Sequence, residues 1–168
     1  MCRSNSAVVR KTVECRTYYY FSSAVGILKI TGKNNVISRI QKVSAVTKDE
    51  FYRVTPFSRV VCRQLEEYFS GKRRYFDVPL ELRGTDFQRG VWNEMRKIPY
   101  GETRSYKDIA IALGKPRACR AVGRASHCNP ILIMIPCHRV IGVSGKMVGY
   151  AGGVDAKKKL LLLEKKHR

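Results

Sequence analysis

The chain has 168 residues of which 44% are hydrophobic, enough for one substantial domain with its own core and too many for an intrinsically disordered segment. Its 33 Lys plus Arg against 13 Asp plus Glu give a formal net charge of +20. Charge of that size points to a polyanionic partner, nucleic acid ahead of an anionic membrane surface because no long apolar stretch or lipidation signal accompanies it, with a merely solvated charged surface as the plain alternative.

The opening residues, Met1 to Ser6, lack the apolar run of a secretory signal, so the expectation is an intracellular chain with reduced cysteines: cytoplasmic, or nuclear in a eukaryotic source. Cys2, Cys15, Cys62, Cys119, Cys128 and Cys137 contain no C-x-x-C pair, and the histidines are confined to His127, His138 and His167. No metal is therefore expected, although a partial site on Cys2 and Cys15 stays open.

After a basic leader, Thr17–Phe21, Gly26–Thr31 and Val36–Ile40 are β-branched and aromatic runs separated by turn residues, and they read as a small antiparallel sheet. Val60, Val61, Leu65 and Phe69 recur at helical spacing between Pro56 and Phe69, with Gly71 as the stop. Tyr75 to Leu80 reads as a further extended segment, leading to a boundary near Arg83-Gly84. Beyond it the pattern turns helical. Thr85 can cap a helix carrying Phe87, Val91, Trp92 and Met95, and Ser105 with Asp108 forms a capping box ahead of Ile109, Ala110, Ala112 and Leu113. Gly114-Lys115-Pro116 breaks that helix and opens the next, from Arg117 to His127. The fold class is thus α+β in two parts: residues 1–82, a sheet-bearing α/β part with the leader, and residues 83–168, mainly helical.

The helix from Arg117 to His127 turns Ala118, Val122 and Ala125 inward and can line up Arg117, Arg120 and Arg124 on one side, in a helix-turn-helix arrangement. Cys119, Ala121, Gly123, Ala125 and Ser126 are small enough to let a backbone approach a groove, and no Asn or Gln is present to read bases. Phosphate and shape recognition, with the minor groove open to it, follows better than sequence readout. Next, the apolar run Ile131 to Ile135 leads into Pro136-Cys137-His138-Arg139-Val140-Ile141, where a thiol beside an imidazole is either a nucleophile or a buried core cysteine.

Several ordered segments together resemble the methylated-DNA–protein-cysteine methyltransferases, or O6-alkylguanine-DNA alkyltransferases. They are Pro99-Tyr100-Gly101-Glu102-Thr103-Arg104-Ser105-Tyr106, Arg120-Ala121-Val122-Gly123, Asn129-Pro130, Pro136-Cys137-His138-Arg139-Val140 and Gly149-Tyr150-Ala151-Gly152-Gly153. Gln64 to Gly71 is similar to that family's variable amino-terminal part, so the resemblance implies a ribonuclease-H-like first domain. It also implies the activity, irreversible single-turnover transfer of an alkyl group from O6 of guanine in double-stranded DNA to Cys137, by a monomer with no cofactor and no membrane. On the resemblance His138 is the base, acting through a water, and Glu164 orients it. Tyr106 assists the departing guanine and the rotation of its nucleotide, Arg120 fills the gap left by the flipped base, and Asn129 ties the turn before the thiol. Arg117, Arg124, Ala121, Gly123 and Ser126 complete the expected DNA face, and Val140, Tyr150, Ala151 and Gly152 the guanine pocket. A related non-repairing class flips alkylated DNA but lacks the acceptor cysteine, and a cysteine hydrolase would turn over its substrate.

Overall fold

The computed structural model of the chain describes residues 16–49, 51–147 and 149–168; Cys2, Cys15 and the leader before Arg16 lie outside the described residues. β1 (Thr17–Ser23), β2 (Gly26–Lys33) and β3 (Val36–Val43) form an antiparallel sheet in that order. Alternation sets the register. Tyr19, Ile30 and Ile40 pair across the three strands on the buried face, whereas Tyr20, Lys29 and Gln41 pair on the other. The β2–β3 turn places Asn34 and Asn35 at φ 49° and 61°, the left-handed pair that a two-residue hairpin needs and that asparagine tolerates.

α1 (Pro56–Phe69) starts on a Thr55–Ser58 capping box with Pro56 in its first turn, and buries Val61, Leu65 and Tyr68. The segment from Tyr75 to Leu80, expected to be extended, does not become a strand of the sheet. Only Leu80 bridges Ile37, through Ile37 N–H to Pro79 O at 2.9 Å and Glu81 N–H to Ile37 O at 2.8 Å, because Pro79 has no N–H with which to continue a ladder.

α2 (Asp86–Arg96) is capped by Thr85 with Gln88, and α3 (Tyr106–Ala112) by Ser105 with Asp108, both as reciprocal boxes. α3 follows the short β4 (Arg104–Ser105), and α4 (Cys119–His127) comes next. The helix expected from Arg117 to His127 needs correction. Residues 114–118 form a turn closed by Ala118 N–H to Lys115 O at 2.9 Å, so α4 begins two residues late and Arg117 lies off it. Pro116 is compatible with a helix start and equally with the corner of a turn, and here it takes the turn.

A 3-10 turn at Cys137–Arg139 leads into β5 (Val140–Ile141), which pairs in parallel with β4, and α5 (Val154–Lys166) follows. The pair β4–β5 places the start of α3, with Tyr106, beside the cysteine turn. Trp92 donates from Nε1 to Ala125 O at 2.9 Å, pinning α2 to α4. The edge of β3 is bonded to the second half of the chain by Ile40 N–H to Pro130 O at 2.9 Å and Leu132 N–H to Ile40 O at 3.1 Å. One core consequently runs through both halves, from Leu28, Ile30 and Leu65 to Met95, Val122, Ile131 and Leu160, each buried side chain contributing about 1.5–3 kcal/mol. Among the described residues no helix is long and apolar enough to cross a membrane.

Candidate active site

The cysteine is delivered by two tight turns in succession. Met134 N–H bonds Leu132 O at 2.9 Å around Ile133, which sits at φ 73°, and Cys137 N–H bonds Ile135 O at 2.8 Å around Pro136. A β-branched residue at positive φ costs on the order of 1–3 kcal/mol, and the burial of Ile131, Ile133 and Ile135 offsets it. Asn129 holds the bend from within: its Oδ1 accepts Ile131 N–H at 2.9 Å, and its Nδ2 donates to Ile135 O and to Cys137 Sγ, each at 2.9 Å.

Burial pushes the Cys137 thiol up to about 11, although the Asn129 amide, the Lys157 charge and two backbone N–H groups all favour the thiolate. The resting sulfur is therefore a thiol that must lose a proton before it can attack. His138 is fully buried, and burial lowers its pKa, opposed by its bond to Glu164. The neutral ring donates from Nε2 to Glu164 Oε1 at 2.8 Å, which makes Nδ1 the basic nitrogen, and Nδ1 is buried with no protein partner among the described residues.

Glu164 is the hub of the site. Oε1 also accepts Tyr68 Oη at 2.6 Å and Arg139 Nη2 at 2.9 Å, while Oε2 accepts Arg139 Nε at 2.9 Å and Gly101 N–H at 3.0 Å. Burial opposes its charge, but His138 and Arg139 outweigh burial and hold the carboxyl well below its ordinary value. Arg139 spends its remaining reach on Ile98 O at 2.7 Å. Tyr68, Gly101, His138 and Arg139 thus converge on one carboxylate from three separate stretches of chain.

The exposed side of the site is a cleft of about 370 Å³ lined by Tyr106, Arg120, Gly123, His127, Val143 and Gly149 among others. Arg120, Arg124 and Ala121 on α4 are exposed, as is Arg117 on the preceding turn. Ser126, expected on the groove face, is only 5% exposed, and its hydroxyl pairs with the Tyr106 phenol instead. Burial and the nearby Cys137 raise the Tyr106 pKa, so the phenol keeps its proton and remains a donor. Tyr150 lies edge-on to His138 at 6.4 Å between ring centres, and Gly152 packs so closely on Tyr150 that a Cβ there would stand 2.6 Å from the ring. Ala151 is exposed, and Val140 is buried with its carbonyl accepting Lys157 Nζ at 2.6 Å.

Arg139, Tyr68 and Lys157 carry parts of the site that motif reading left without a role. Lys157 belongs to the basic run Lys157-Lys158-Lys159, yet it is fully buried because it shares the inner face of α5 with Leu160 and Glu164. The spacing i, i+3, i+7 was the available sign. For Tyr68 no local sign exists, since its partner lies 96 residues away.

Residues 86–166 match the family model of the 6-O-methylguanine DNA methyltransferase DNA binding domain, and residues 16–82 that of its ribonuclease-like domain. The chain is 45% identical over 153 residues to the methylated-DNA–protein-cysteine methyltransferase of Mycolicibacterium paratuberculosis, covering 89% of this chain and 93% of that one. It belongs to this family. A second methyltransferase of that name, from Methanosarcina barkeri, is 61% identical over 108 residues, covering 64% of this chain and 68% of that one. The crystal structure of Mycobacterium tuberculosis OGT in complex with DNA superposes with a TM-score of 0.82 at 45% identity, over 90% of this chain and 94% of that one. The three-stranded sheet followed by a helical half is accordingly the architecture of the family, and the buried hub around Glu164 joins Tyr68 of the first half to Gly101, His138 and Arg139 of the second.

Proposed function

We propose that this methyltransferase repairs DNA directly, taking the alkyl group from O6 of guanine onto Cys137 and keeping it. The observation that carries the reading is the line from Cys137 Sγ, held by Asn129, to the buried His138–Glu164 pair. One water between Sγ and the free Nδ1 of His138 moves the thiol proton to the ring, and Glu164 stabilises the imidazolium that forms. The thiolate then attacks the saturated carbon, the S–C bond forming as the C–O6 bond breaks. The electron pair leaves with guanine, which takes up one proton, aided by a hydrogen bond from Tyr106 to N3, so thiol plus alkylguanine become thioether plus guanine.

A stacked guanine cannot reach a sulfur that is 2% exposed, so the nucleotide rotates out of the duplex, with Tyr106 crowding its phosphate and Arg120 entering the vacated space. Arg117 and Arg124 contact phosphates, and Ala121 and Gly123 allow the close approach of α4 to the minor groove. Tyr150, Ala151, Gly152 and the Val140 carbonyl surround the base. The chain divides near residue 82, acts as a monomer in the cytoplasm, and needs no cofactor. Peptide mapping after mixing with duplex DNA carrying O6-methylguanine should show one methyl on Cys137 and restored guanine, and Cys137→Ala should bind DNA without transfer. Repeated turnover with no thioether would instead establish a hydrolase.

A further inference from the structure

A second cleft, of about 240 Å³, opens on the other side of the Ala151 loop, between that loop and the edge of β3. Its inner wall is Asn129, whose amide holds the Cys137 sulfur at 2.9 Å, together with Leu132 and Ala151, and His127 joins it to the cleft lined by Arg120. Its outer wall is Arg39, Gln41 and Lys42, supplied by the first half of the chain. Lys42 reaches across the opening to Gly152 O at 3.4 Å, a long bond that leaves two ammonium hydrogens available. Arg39 and Gln41 point to the face of β3 opposite Ile40 and Lys42, and Arg39 bonds Gln41 Oε1, also at 3.4 Å. Both cations are exposed, neither forms an ion pair among the described residues, and no lining residue is acidic.

Granting the alkyl-transfer reading, we propose that this cleft receives the part of the O6 substituent beyond the reacting carbon, and that Lys42 selects substituents bearing a carboxylate. O6-carboxymethylguanine is the smallest such adduct. Its methylene carbon bonds to Sγ as the bond to O6 breaks, guanine leaves with the electron pair and takes up a proton, and the carboxylate stays paired with the Lys42 ammonium on the alkylated protein.

The neutral amide of the same size, O6-carbamoylmethylguanine, isolates the charge. Single-turnover rates on one duplex sequence carrying each adduct give a ratio in which general DNA binding cancels. The carboxylate should react about five times faster, equivalent to about 1 kcal/mol for a partly solvated pair. Lys42→Gln should bring the ratio to about one, and Lys42→Arg should restore most of it. A ratio near one in the wild type, or one unmoved by Lys42→Gln while Cys137 still acquires the thioether, overturns the assignment. Absence of the thioether with every adduct, O6-methylguanine included, would sink the underlying transfer reading as well.

Discussion

The hub around Glu164 and the outer face of α4 are a few residues apart in space and opposite in construction. Glu164 is fully buried, with each oxygen occupied by donors, and a charge in such a place survives only because all of its partners are present. Arg120 and Arg124 are exposed on one helix and form no ion pair among the described residues. The dry region fixes atoms for one reaction, and the wet region presents charge to a ligand that supplies the counter-charge. Damage to the first should therefore register as stability and chemistry together, damage to the second as DNA binding and base extrusion with stability unchanged.

Glu164→Gln tests the dry side hardest. The buried Arg139 loses its counter-charge, so unfolding by urea should show a loss of about 3–5 kcal/mol, with alkyl transfer lost as well. A variant of wild-type stability would mean that the hub is not a closed unit. The next effect belongs to the thiol. Its folded pKa of about 11 lies above its ordinary 9.0, so its contribution is complete below pH 9 and is lost as pH rises toward 11. Two pH units correspond to roughly 2–3 kcal/mol. Wild type should lose that much more stability than Cys137→Ser across this range, and parallel curves would contradict the burial argument.

On the wet side, Arg120→Ala should slow repair of a duplex by about tenfold, part of the few kcal/mol needed to unstack a base, while reaction with free O6-benzylguanine changes little. Equal losses on both substrates would remove Arg120 from base extrusion. The smallest effect is expected for Arg124→Ala: the slope of log affinity against log salt should fall by about one, uniformly across DNA sequences. A sequence-dependent loss there would show that α4 reads bases as well as phosphates.

The same contrast governs what could be read from the amino-acid order. The cap at Thr85, the capping box at Ser105 and the helix ending before Gly71 are local, and each stands where the pattern placed it. Pro116 misled because one residue type serves both a helix start and a turn, which moved Arg117 off α4. Ser126 looked like a small groove residue, and its volume gave no hint that its hydroxyl would be spent on Tyr106. The pair β4–β5 is two residues long on each strand, too short for any alternation to show. Cys137, His138 and Glu164 were legible through a family resemblance, whereas Tyr68 and Lys157 owe their places to packing between distant segments.

The distribution of donors around Glu164 also imposes an order in time. Tyr68, Gly101 and Arg139 emerge from the ribosome before the acid they bind, so a nascent chain that has not reached residue 164 carries the acceptor sulfur without the carboxylate that supports its base. In this way a cysteine that can be used only once gains its supported base only when synthesis has passed residue 164.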